Sequence, residues 1–163
     1  MRWGSDDILE PSVRKPLERL ATWVVLRFLH LHQTIYDVSD GRVGHGLLGV
    51  PCLLLRTTGR RTGRRRTSAL VYARDGQDYL VVGSFGGADP APGWLHNVRA
   101  RPQVWVQVKG ERFPATASII EPGDDAYDPL WRRVNENNGG RYDRYQTKTR
   151  RPIPIVRLTP GDG

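Results

Sequence analysis

Residues 52–75 read CLLLRTTGRRTGRRRTSALVYARD. The two runs CLLLRTT and TSALVYARD are short, apolar and rich in β-formers, and glycine punctuates the segment between them, so they read as neighbouring β-strands joined by a tight connection. Six arginines fall within residues 56–66, far more charge than a strand connection needs for solubility. The connection offers glycines for turning, hydroxyls, backbone N–H groups and guanidinium forks that match phosphate or carboxylate. It therefore reads as a cradle for an anion.

The strand pattern continues downstream. DYLVVGS (78–84), VWVQVKG (104–110) and RFPATASII (112–120) are further short runs of β-branched and aromatic residues, with the turn signals DGQD (75–78) and KGER (109–112) between them. PIPIVRL (152–158) reads as a last strand whose prolines fit a sheet edge. WLHNVRARP (94–102) predicts a short helix stopped before Pro102. DDAYDPLWRRVNENNGG (124–140) predicts another, N-capped around Asp124 and ended by Gly139. Because helices do not alternate with strands, a parallel nucleotide-binding sheet is disfavoured, and a small antiparallel barrel or sheet with attached helices is expected. With 163 residues and no internal repeat, one domain over residues 1–163 is expected.

Ahead of the strands, residues 14–38 read RKPLERLATWVVLRFLHLHQTIYDV, with Leu17, Leu20, Val24 and Leu31 at helical spacing. Residues 13–32 are read as an N-terminal amphipathic helix. Its densest apolar part is too short, and with Arg27 too charged, to span a membrane, and no small-residue cleavage site follows. Two uses stay open for it: packing on its own domain, or peripheral contact with the inner face of the cell membrane through Trp23 and Phe28 between arginines. The single cysteine, Cys52, sits inside an apolar run, which suits a buried thiol in a reducing, cytoplasmic setting.

The balance of 25 Lys+Arg against 17 Asp+Glu, net +8, calls for an anionic partner. Nucleic acid is disfavoured, because the basic cluster is confined to one turn without interleaved aromatic platforms. Motifs of protein-based catalysis are missing too. GRRTGRRRT is not a Walker loop, since its glycines are four apart and no Lys-Ser/Thr follows. GSFGG lacks the spacing of a nucleophile elbow. His30, His32, His45, His96 and Cys52 make no metal-ligand pattern, so no metal is expected. GSFGG follows directly on a strand, where its glycines let a ligand approach the backbone. Together with the arginine turn it suggests a phosphorylated aromatic cofactor.

The runs LLLRTTGRRTGRRRTSALVYARDG, VVGSFGGADPAPGWLHNVRARPQVWVQVKG and RYDRYQTKTRRPIPIVRL, in unbroken order over about residues 45 to 160, resemble the deazaflavin-dependent nitroreductase family. The resemblance implies a split β-barrel of about six mostly antiparallel strands, with an N-terminal helix and short peripheral helices, related to the pyridoxamine-phosphate-oxidase-like FMN-binding fold. It implies coenzyme F-420, an 8-hydroxy-5-deazaflavin, as cofactor, with FMN the lesser alternative. It assigns the cofactor's phosphate and acidic tail to Arg60, Arg61 and Arg66, with Thr67 beside them. The deazaflavin ring goes to Ser84, Gly86 and Gly87, Trp94 and Asn97 belong to a segment closing over it, and Tyr142 and Tyr145 border the acceptor pocket. Ser84, Tyr142 and Tyr145 are the candidate catalytic groups. Against the family pattern, Phe85 stands where lysine is common, Gly93 where methionine is, Ala69 in place of proline, and Val71 in place of a pocket tyrosine.

The expected activity is hydride transfer from the reduced deazaflavin to a planar, electron-poor small molecule such as a quinone or activated enone, with nitroaromatics as a side activity. The cofactor then does the difficult chemistry, and no protein nucleophile is needed. A non-catalytic carrier of coenzyme F-420 or FMN is the alternative.

Overall fold

A computed structural model describes residues 46–47 and 50–161 of the chain. The amphipathic segment 13–32 lies outside the described residues. Seven strands are present among them: β1 (Gly46–Leu47), β2 (Val50–Thr58), β3 (Arg65–Asp75), β4 (Asp78–Val82), β5 (Gln103–Val108), β6 (Glu111–Ile120) and β7 (Ile155–Pro160). They follow the order β1-β2-β3-β4-β7-β6-β5, and β2 also pairs with β5, so six antiparallel strands close into a barrel with β1 attached outside the ring.

Alternation along each strand builds two cores on opposite faces of the barrel wall. Inward-facing Leu53, Leu55, Val81, Val104, Val106, Ala115, Ala117, Val156 and Leu158 fill the barrel. Helix α1 (Gly93–Ala100) adds Trp94, Leu95 and Val98 to this cluster. On the outer face, Ala73, Leu80, Val82 and Ile155 pack beneath α2 (Tyr127–Asn137) and α3 (Arg141–Gln146), which contribute Tyr127, Leu130, Val134 and Tyr142. The unbroken apolar run in β4 follows from this: Val81 serves the first core, and Leu80 and Val82 the second. Each fully buried Leu or Ile contributes roughly 1.5–3 kcal/mol by leaving water.

Two sequence expectations need correction. The PIPIVRL strand is not an edge; β7 lies between β4 and β6, with Val156 opposite both Val81 and Ile119. Pro152 and Pro154 precede the strand rather than interrupt its ladder, and the Pro154 carbonyl accepts the Gly83 N–H at 3.0 Å. Asp124 is not the cap of α2, whose first residue is Tyr127. Its carboxylate instead accepts the Glu121 N–H at 2.8 Å, closing the turn before the helix. Pro129 falls within the first helical turn, where backbone N–H groups have no intrahelical partner to lose.

Candidate functional site

Hairpin β2–β3 projects its connection as a charged finger. Gly59 N–H donates to the Arg64 carbonyl at 2.8 Å, and Gly63 N–H to the Gly59 carbonyl at 2.8 Å, which folds the turn on itself. Asn97 of α1 fixes its base: Oδ1 accepts the Arg60 N–H at 3.0 Å, and Nδ2 donates to Thr57 Oγ1 at 3.0 Å. Asn97 is buried, so its bonds hold the turn to the helix. Arg60, Arg61, Arg64, Arg65 and Arg66 are all exposed, and no carboxylate among the described residues pairs with them. Thr67, opposite Arg56 in the ladder, is half-buried where the strand leaves the turn.

His96 shows how these charges converge. Burial lowers its pKa first, and Arg60, Arg99, Arg61 and Arg151 lower it further. Side chains from the turn, from α1 and from the segment before β7 thus place positive charge around one imidazole. Protonating it adds a charge to a cluster that already repels one.

The second part of the site is the loop after β4. Phe85–Gly87 form a single 3-10 turn in which Phe85 (φ 48°), Gly86 (φ 67°) and Gly87 (φ 85°) are all left-handed. Ser84 is buried, Phe85 is 54% exposed, and the space around Gly86 is open, with nothing within 4 Å of where a Cβ would stand. The Ser84 hydroxyl makes no hydrogen bond among the described residues. Arg151 gathers this loop, donating to the carbonyls of Gly83, Ser84, Ala88 and Asp89 at 3.0–3.3 Å.

Helix α3 supplies the third part. Asn135 Oδ1 accepts the N–H groups of Tyr142 (3.1 Å) and Asp143 (3.2 Å), starting the helix from a side chain of α2. The rings of Tyr142 and Tyr145 meet edge to face at 6.2 Å, so the helical spacing does bring them onto one side. Their surroundings differ. Tyr142 is buried in the outer core, where burial pushes its hydroxyl up to about 12 while a hydrogen bond from Asn138 acts in the other direction. Asn138 Oδ1 is itself buried without a partner. Tyr145 is half-buried, beside the Ser84–Gly87 turn, and its hydroxyl has no hydrogen bond among the described residues.

The structure thus brings Ser84, Gly86, Gly87 and Tyr145 together, with Tyr142 behind them, and sets Arg60 and Arg61 near His96. Trp94 points elsewhere: it is 8% exposed and packs in the barrel cluster. Sequence reading gave no site role to Arg151, His96, Asn135 and Asn138, whose partners come only through tertiary packing. The set suits a ligand that is anionic at one end and flat at the other. Guanidiniums with no carboxylate partner among the described residues meet the first need, and a loop with open space at Gly86 and the exposed Phe85 ring beside it meets the second.

A closed antiparallel barrel of six strands with short attached helices is the split-barrel fold, shared with F420-dependent reductases. The sequence profile of the F420H2-dependent quinone reductase family matches residues 28–160, and the chain belongs to that family. Membership makes it an oxidoreductase with coenzyme F-420 as its cofactor. It is similar to an F420H2-dependent quinone reductase of Mycobacterium tuberculosis, 50% identical over 137 residues that cover 83% of this chain and 92% of that one. Among solved structures, an F420H2-dependent reductase superposes with a TM-score of 0.59 at 34% identity, covering 66% of this chain and 93% of that one. A protein described as a domain-swapped dimer gives a TM-score of 0.63 at 29% identity, covering 85% and 98%.

Proposed function

We infer that the protein reduces a planar, electron-poor acceptor, a quinone first of all, with nitroaromatic compounds as side substrates. Arg60, Arg61 and Arg66 would hold the cofactor's phosphate and acidic tail, and the Ser84–Gly87 turn would carry the ring against Tyr145. The observation that carries this reading is the pairing of a carboxylate-free arginine turn with a left-handed, glycine-lined loop. The turn has no carboxylate partner among the described residues, which leaves its charge for an external anion, and the open space at Gly86 leaves room for a flat ligand.

Reduced coenzyme F-420, when bound, supplies a hydride from C5 of its deazaflavin. The chain's own residues bind, orient and exclude water. A two-electron reduction also consumes a proton. Tyr145 Oη and Ser84 Oγ, neither hydrogen-bonded among the described residues, would donate it or orient a carbonyl or nitro oxygen. Tyr142 Oη, which burial pushes up to about 12, stays protonated at neutral pH and is no phenolate base.

Equilibrium titration with reduced and oxidised coenzyme F-420 and with FMN, followed by steady-state turnover with a soluble quinone and a nitroaromatic, tests the reading. Tight binding of the deazaflavin with quinone turnover is the expected result. Binding without turnover of any acceptor would make the protein a carrier. Preference for FMN would overturn the assignment of the arginine turn to an acidic tail.

A further inference from the structure

We propose that Arg151 is the positioning residue of the cofactor loop: its guanidinium fixes the peptide planes of residues 83–89 so that backbone N–H groups face the ligand. The inference rests on the reading above, which gives that loop to the deazaflavin ring.

Arg151 donates from Nε to the Asp89 carbonyl at 3.0 Å and from Nη1 to the Gly83 carbonyl at 3.1 Å. Nη2 donates to the carbonyls of Ser84 at 3.2 Å and Ala88 at 3.3 Å, and Nη1 lies 3.5 Å from the Pro152 carbonyl. One planar fork thus pins both ends of the left-handed turn. A lysine could not, since a single ammonium has three donors radiating from a point rather than five in a fixed plane. Arg151 is itself held: its N–H donates to Thr149 Oγ1 at 3.1 Å, Thr149 Oγ1 donates to Asp89 Oδ1 at 2.7 Å, and Gln146 Nε2 donates to the Arg151 carbonyl at 3.0 Å.

Peptide geometry converts this clamp into a statement about the site. In a trans peptide the N–H points opposite to the C=O of the same plane. Drawing the Gly83 and Ser84 carbonyls toward Arg151 therefore turns the N–H groups of Ser84 and Phe85 away from it. Neither amide has a hydrogen-bond partner among the described residues. Two adjacent, preorganised donors beside an open glycine suit an oxygen that bears partial negative charge, such as a ring carbonyl of a reduced, electron-rich cofactor. Without Arg151, the left-handed Phe85, which pays for its conformation by about 1 kcal/mol or more, would relax and the donors would scatter.

The test compares wild type, Arg151→Ala and Arg151→Lys by hydrogen exchange of the amides in residues 84–89, by affinity for coenzyme F-420, and by the absorbance band of the bound cofactor. Expected are faster exchange in that loop, affinity lowered about tenfold or more in the alanine variant, a shifted band, and recovery of affinity when dilute guanidinium is added. Arg151→Lys is expected to stay impaired and to gain nothing from guanidinium, and it decides the matter if the alanine variant does not fold. Wild-type exchange and affinity in Arg151→Lys would overturn the proposal. Failure of the wild-type protein to bind coenzyme F-420 would instead remove the site assignment, while the exchange data would still judge the clamp.

Discussion

Gly87 and Tyr145 meet backbone to backbone: a Cβ on Gly87 would lie 2.7 Å from the Tyr145 carbonyl oxygen and 3.1 Å from its Cα. The loop after β4 and helix α3 are therefore fitted to each other at a point where no side chain can intervene. Gly87→Ala combines that collision with a φ of 85° that an alanine rarely adopts. A loss of about 2 kcal/mol or more is expected, lowering the melting temperature by roughly 4–8 °C, with a larger proportional loss of cofactor affinity. Gly86→Ala shares the left-handed φ but meets open space, so thermal scans of the two variants separate conformational strain from collision.

Arg60→Ala and Arg66→Ala are expected to weaken coenzyme F-420 binding about tenfold or more while leaving the melting temperature almost unchanged, since both side chains are exposed. Wild-type affinity should fall with added salt, and less steeply in the variants. Unchanged titration curves in both variants would remove these arginines from the cradle.

Asn97→Ala separates position from charge. It strips the Arg60 N–H and the Thr57 hydroxyl of their partner at the base of the turn. Stability should fall by about 1–3 kcal/mol in denaturant unfolding, and cofactor affinity should fall although every arginine remains.

His96 gives the pH dependence a sign. Its folded pKa lies below the ordinary 6.5, so the unfolded chain binds more protons as pH falls below that value. The contribution to stability is intact above 6.5 and is lost progressively as pH falls through the lowered folded value. An anion placed among Arg60, Arg61, Arg99 and Arg151 offsets their charge and raises the imidazole pKa, so binding takes up a proton. Cofactor affinity should tighten as pH falls below the ordinary histidine value, and His96→Gln should flatten that profile in titrations across about pH 5.5–8.

Tyr145→Phe keeps the ring and removes a hydroxyl that has no hydrogen bond among the described residues. Near-normal melting and cofactor affinity are expected, with quinone turnover reduced about tenfold, or roughly 1.4 kcal/mol of transition-state stabilisation. Tyr142→Phe removes the hydroxyl that Asn138 bonds, and it should cost about 1 kcal/mol of stability. Full turnover in Tyr145→Phe would leave that ring a packing role only.

The strands were legible because each carries its own local signal: CLLLRTT, TSALVYARD and DYLVVGS alternate or run apolar between turn residues, and the glycine connection between the first two is where the arginine finger stands. What sequence could not convey is closure. PIPIVRL reads as an edge when taken alone, and only its pairing with both β4 and β6, in a ring closed by β2 and β5, shows that it is internal. In the candidate site, compact motifs point to residues close together in sequence, while Arg151, 67 positions from the Ser84 carbonyl it binds, was given no role. Asn97 was visible as part of a motif, but its bonds to Thr57 and Arg60 belong to tertiary structure. Tyr142 and Tyr145 shared a helical face as expected, and their different burial was set by α2, which the spacing of the pair does not encode.

The placement of β7 ties the order of synthesis to the order of assembly. In chain order it is the last strand among the described residues, yet it fills the gap between β4 and β6. A nascent chain lacking it would present two unsatisfied ladders that invite pairing with other chains. The residues leading into it, from Gln146 through Arg151, are those that lock the loop after β4. Insertion of this one segment would thus seal the barrel and lock the loop after β4 in the same event, so a half-folded chain is expected to bind little cofactor. Recovery of coenzyme F-420 binding during refolding should follow barrel closure with a single shared rate.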